Sequence, residues 1–153
     1  MLRRRDKRRE VSSVVALVAP SERKSAHLYS WHRQGSIDTD DVIAAIQYFR
    51  RKVGRPLTIV WDRLNQHRAS KLKAFVSRHR VDFRLEYLPP YAPDLNPEEG
   101  CNGVVKNDMR NGTPDSVDEL RAGVRLSFQR LGRRPDTLAA FFRHAGLDVS
   151  DLP

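Results

Sequence analysis

Four prolines within nine residues, Pro89, Pro90, Pro93 and Pro97, constrain this chain more than any other feature. Neither a helix nor a central strand runs through such a segment, because each proline lacks an N–H and has a fixed φ. The segment is therefore read as a stiff extended loop. It ends on Asn96-Pro97-Glu98-Glu99, which has the order of a helix start: Asn at N-cap, Pro at N1, acids at N2 and N3. On its other side lies Leu57–Trp61, a compact apolar strand that ends on Asp62. The stretch from Pro56 to Lys106 thus delivers two carboxylates, Asp62 and Glu99, from separate elements.

The other elements follow from punctuation and periodicity. Val11–Ala19, rich in valine and stopped by Pro20, predicts a buried strand, and Ala26–His32 pairs with it as an antiparallel hairpin. Asp38 or Thr39 caps a helix carrying Val42, Ile46, Phe49 and Val53 on one face, ended by Gly54. Ala69–Arg80 predicts a second amphipathic helix with Leu72, Phe75 and Val76 inward, and Phe83–Leu88 a strand. The helix begun by Glu98 and Glu99 runs to about Arg110. Ser116 and Glu119 then form a capping box for a further helix, and Pro135 opens the last. The order β-β-α-β-α-β-α-α-α is an α/β pattern with a mixed sheet, in which functional side chains gather at the C-terminal ends of parallel strands. Asp62 occupies such an end.

At 153 residues the chain has the size of one domain, and its net charge of +9 makes polyanions its natural partners, nucleic acid first and anionic membrane second. The excess is uneven, with 13 basic against 6 acidic residues in 1–61. The single cysteine, Cys101, excludes an internal disulfide and a cysteine-based zinc site, and fits a reducing cytoplasm. No stretch has the eighteen or so apolar residues of a membrane span. RRRDKRRE followed by VSSVVALVA imitates a secretory leader, but Asp6 and Glu10 interrupt the basic part and two serines the apolar part.

Two carboxylates converging from different elements suit Mg2+ or Mn2+, which prefer hard oxygen ligands, and phosphoryl transfer by a metal pair. Each acid also has a plain structural reading: Asp62 as a strand-end residue, Glu99 as the N3 partner of a cap, with Glu98 an equally charged rival. His67 and Arg68 follow Asp62, and Lys106 and Arg110 share the face of Glu99; all four are candidates for phosphate contacts, or for a solvated surface.

WDRLNQH with YLPPYAPDLNPEEGCNGVVK resembles the DDE transposases of the mariner superfamily, within them the bacterial insertion-sequence branch with an LPPY-x-P-x-LNP-x-E signature. The resemblance spans roughly Arg8 to Leu147. It implies a ribonuclease-H-like core, divalent metal at Asp62 and Glu99, and cleavage and strand transfer at transposon ends. It departs at Arg63, where Asn is usual, and at Asn102, where Trp is usual. The first Asp of the family lies on a central strand ahead of the hairpin, and strand 11–19 holds no acid. The expectation is therefore a ribonuclease-H-like mixed sheet without its first strand. Residues 1–112 would form the truncated catalytic core and 113–153 a helical extension of the same domain, in a bacterial cytoplasmic protein. The two-metal site is complete only when that strand is present. Partners would be DNA, a second copy, or an upstream product that complements the fold. The alternative is a non-catalytic, basic DNA-binding or regulatory remnant.

Overall fold

A computed structural model describes the chain over residues 11–61, 66–90 and 92–149. Strands β1 (Val11–Val18) and β2 (His27–Gln34) form an antiparallel ribbon in which Val14 faces Trp31 and Leu17 faces Leu28. Helix α1 (Thr39–Val53) follows, then β3 (Leu57–Trp61), α2 (Gln66–Arg78) and β4 (Phe83–Tyr87). β3 and β4 pair in parallel, with Leu57 opposite Phe83 and Trp61 opposite Tyr87. A 3-10 turn (Pro93–Leu95) precedes α3 (Glu98–Arg110), α4 (Val117–Gly132) and α5 (Pro135–His144). The fold is mixed α/β, with one small antiparallel and one small parallel sheet.

The period-two alternation of the ribbon divides its side chains between two helical layers. Val14, Ala16, Tyr29 and Trp31 pack with Ala45 and Phe49 of α1. On the opposite face Val15, Leu17 and Leu28 pack against Cys101 and Val105 of α3, Phe128 and Leu131 of α4, and Leu138 and Phe142 of α5. Among the described residues, the second sheet has helices on one face only. Leu57, Ile59, Trp61 and Leu85 lie against Val42 and Ile46 of α1 and Leu72 and Val76 of α2. Thr58, Val60, Arg84 and Glu86 on the other face are exposed, Val60 at 59%. Leu57 and Ile37 pack against both α1 clusters, so α1 underlies the two sheets together.

Caps explain the helix limits. Asp38 accepts from Asp41 N at 2.9 Å while Asp41 accepts from Asp38 N at 3.0 Å, a reciprocal capping box. Gly54 ends α1 at φ +76°, a left-handed conformation that glycine adopts without penalty. At α4, Ser116 Oγ accepts from Glu119 N at 3.0 Å, but Glu119 reaches past the cap to Asp115 N at 2.8 Å. The predicted box is therefore only half formed.

Two expectations need correction. β1 is not a buried strand: only Val14 among its residues is buried, because among the described residues it has a ladder neighbour on one side only. α2 spans Gln66–Arg78 rather than residues 69–80. Its early start reflects three residues, Gln66, His67 and Arg68, that carry no cap signal yet tolerate helix. Its early end is a turn in which Asp82 N and Phe83 N both donate to His79 O.

His32 ties the ribbon to α4. One ring nitrogen lies 2.7 Å from Ser13 Oγ, the other 2.9 Å from Ser30 Oγ, and the ring tilts against Phe128. Burial, then the charges of Arg125 and Arg121, push its pKa below the ordinary 6.5. The unfolded chain takes up this proton near 6.5 while the folded chain resists it. Stability from this group is thus complete above pH 6.5 and declines as pH falls toward the lower folded value. Melting temperatures between pH 8 and pH 5 should show that decline, and it should flatten in His32→Gln. An unchanged slope in the variant would refute the assignment.

Candidate functional site at the end of β3 and the start of α3

The proline loop leaves the sheet beside the end of β3. Leu88 N donates to Trp61 O at 2.9 Å, extending the β3–β4 ladder one residue past Tyr87. The chain then turns through Pro89 and Pro90 into the 3-10 turn, where Leu95 N donates to Ala92 O at 3.1 Å. Asn96 Oδ1 accepts from Glu98 N at 3.2 Å, and Asn96 O accepts from Glu99 N at the same distance. Asn96 therefore caps the helix with side chain and carbonyl, while Pro97 already holds helical angles (φ −63°, ψ −21°).

At 100° per residue the faces of α3 separate cleanly. Cys101 and Val105 point into the core. Glu98 is half-buried on their side, and Glu99, Gly103, Lys106 and Arg110 form an exposed stripe on another. The placement of Glu98 has an electrostatic signature. Burial, then the charge of Glu98, pushes the Cys101 thiol up to about 12. Cys101 is wholly buried and protonated, which removes it as a nucleophile or a soft metal ligand.

A close contact with α5 holds the helix start in place. A Cβ added to Gly100 would sit 2.8 Å from Cγ and from Cε1 of Phe141, nearer than carbon atoms approach. Glycine here lets the first turn of α3 lie directly on that ring. The sequence signal was a lone Gly beside two acids, with nothing to indicate what it approaches.

Of the candidate residues, Glu99, Lys106 and Arg110 are brought together on one exposed helix face. His67 and Arg68 occupy the first turn of α2, not the loop after β3. Asp62 lies outside the described residues, directly after Trp61 in the chain. Among the described residues, no three His, Cys, Asp or Glu side chains are grouped to hold a metal ion. The exposed Glu99 carboxylate is a hard oxygen donor, the kind that Mg2+ or Mn2+ prefers and a thiophilic ion does not. No described helix is long and apolar enough to cross a membrane.

A family model for DDE superfamily endonucleases matches residues 3–121 of the chain. No curated protein matches it.

Proposed function

The chain belongs to the DDE superfamily endonuclease family, and from that membership we propose that it is part of a transposase catalytic domain of the mariner superfamily, insertion-sequence branch. Its substrates are transposon-end and target DNA. Asp62 and Glu99 hold divalent metal, and Lys106 and Arg110, on the stripe with Glu99, contact the strand's phosphates. His67 and Arg68, on the helix that follows Asp62, are further phosphate contacts. When bound, a pair of Mg2+ or Mn2+ ions activates the attacking oxygen and stabilises the leaving one. The observation that carries the reading is the Leu88–Trp61 hydrogen bond: the loop that leads to Glu99 departs beside the strand end that leads to Asp62.

The same proposal includes one further strand. β1 (VSSVVALV) and β3 (LTIVW) contain no charged residue, whereas β2 (HLYSWHRQ) and β4 (FRLEY) contain Arg33, Arg84 and Glu86. Sheets protect their outer edges with charge, so the uncharged strands have the character of interior ones. Helices cover both faces of the β1–β2 ribbon, as they cover the interior strands of a sheet. A strand inserted between β1 and β3 joins the two sheets into one of five strands and brings the first acid of the family. An upstream product or a longer form of the chain supplies it, and the completed domain acts in the bacterial cytoplasm.

The test is nicking of supercoiled transposon-end DNA in Mg2+ or Mn2+. The chain is assayed alone and co-expressed with the polypeptide encoded immediately upstream. Cleavage is expected only in the second case, and Asp62→Ala should abolish it. Cleavage insensitive to Asp62→Ala would overturn the catalytic assignment. DNA binding without cleavage in either case would favour the regulatory alternative.

A further inference from the structure

The far end of the ribbon carries a second cluster of basic residues, beside the start of β3 rather than its last residue, Trp61. A surface groove there is lined by Lys24, Ser25, His27 and Tyr29 from the hairpin and by Lys52 and Arg55 from the end of α1 and the residues after it. Among the described residues no carboxylate lines it. Lys24, Lys52 and Arg55 are exposed, and among the described residues none of the three is in a salt bridge. The neighbouring Arg50, by contrast, is paired with Asp82 at 2.9 Å.

The groove is held in shape by its backbone and rings. Ser21 and Lys24 exchange two backbone hydrogen bonds, Ser21 N to Lys24 O at 2.8 Å and the reverse at 3.2 Å, which fix the turn bearing Lys24. His27 Nδ1 donates to Ser25 O at 2.6 Å and its ring stacks on Tyr29, centroids 6.3 Å apart. Lys52 Nζ lies 5.5 Å from the centroid of the Tyr48 ring. Basic residues also complement a helix C-terminus, and that accounts for Arg50, Arg51 and Lys52 in the last turn of α1. It does not account for Lys24 in the hairpin turn or Arg55 beyond the helix. Cations from two segments far apart in sequence, Lys24 from one and Lys52 with Arg55 from the other, converge on one groove, where exposed positive charge with aromatic neighbours suits a phosphate backbone.

We propose that this groove, Lys24, Lys52 and Arg55 with His27 and Tyr29, is a second DNA-backbone site that binds duplex away from the reacting phosphate. It rests on the DNA-directed reading above. Arg55 precedes Leu57, the first residue of β3, and Asp62 follows the last. A five-residue strand at ~3.3 Å per residue separates the two ends by about 16 Å. A duplex engaging both therefore spans at least about five base pairs.

Binding of a 30-base-pair duplex of unrelated sequence, measured against salt from 50 to 300 mM, tests this. The proteins are the full chain, Lys24→Ala/Lys52→Ala/Arg55→Ala and Lys106→Ala/Arg110→Ala, with circular dichroism confirming equal folding. If the triple variant proves less folded, Lys52→Gln/Arg55→Gln replaces it. Each lost phosphate contact removes about 0.9 from the slope of log affinity against log salt. The triple variant should lower the slope by roughly 2 to 3 and the affinity at low salt on the order of 100-fold. An unchanged slope in the triple variant, with a reduced one in the Lys106/Arg110 variant, overturns the groove while leaving the functional reading intact. Absence of DNA binding by the parent chain overturns both. Binding of phosphatidylserine vesicles that depends on the three residues, with DNA binding that does not, also overturns the groove.

Discussion

Glu99→Gln in the completed domain should lower metal-dependent cleavage on the order of 10³-fold, while Glu98→Gln should leave it within a few-fold. The two acids are adjacent and equally charged, so a smeared electrostatic role would make them equivalent. The helix makes them different. Glu99 shares its exposed stripe with Lys106 and Arg110, whereas Glu98 is half-buried on the side of Cys101 and helps raise that thiol. Gln keeps the size and the helix propensity and removes only the anionic oxygen that a divalent ion requires. Loss of a metal ligand forfeits several kcal/mol of charge stabilisation in the transition state, which is about 10³-fold in rate. Single-turnover nicking at saturating DNA checks it. Equal losses in the two variants would remove the assignment of Glu99 as a ligand.

Leu138→Ala should destabilise the fold by about 2–5 kcal/mol, the range for emptying a packed leucine site. Leu138 is fully buried where α5 meets α3, α4 and the ribbon, and its neighbours Cys101, Phe128 and Leu131 are themselves buried, so the hole has little freedom to collapse. Leu126→Ala on the exposed side of α4, 45% accessible, is the control and should change stability by no more than about 0.5 kcal/mol. Thermal unfolding reads the difference at roughly 2–4 °C per kcal/mol for a chain of this size. Similar shifts in both variants would mean that the α5 interface is not part of the cooperative core.

The order of elements was legible in the sequence because its limits are set locally. Asp38, Gly54, Asn96-Pro97, Ser116 and Pro135 each act through their own backbone neighbourhood, and each sits where the structure begins or ends a helix. Burial was less legible, since it depends on what lies across a strand. The valines of β1 do not reveal that, among the described residues, its ladder has a neighbour on one side only. Gln66 was missed as a helix start because no cap marks it. Convergence in space was least legible. Asp108 lies nineteen residues before Ser127, yet the buried Ser127 hydroxyl donates to it at 2.6 Å. The groove of Lys24, Lys52 and Arg55 gave no sequence signal either, for each cation reads locally as part of a turn, a helix end or a loop. At the candidate site, the exposed face shared by Glu99, Lys106 and Arg110 followed from helical spacing alone.

The contact of Gly100 with Phe141 bears on where this protein can be cut. The family match stops at residue 121, inside α4, and invites an expression fragment that ends there. Such a fragment would lose Phe141 from beneath the first turn of α3 and Leu138 and Phe142 from beside Cys101. The helix bearing Glu99 would then rest on an open apolar surface. For a protein engineer, the boundary to respect is the last residue that props up α3, which lies beyond the last residue that the family model matches.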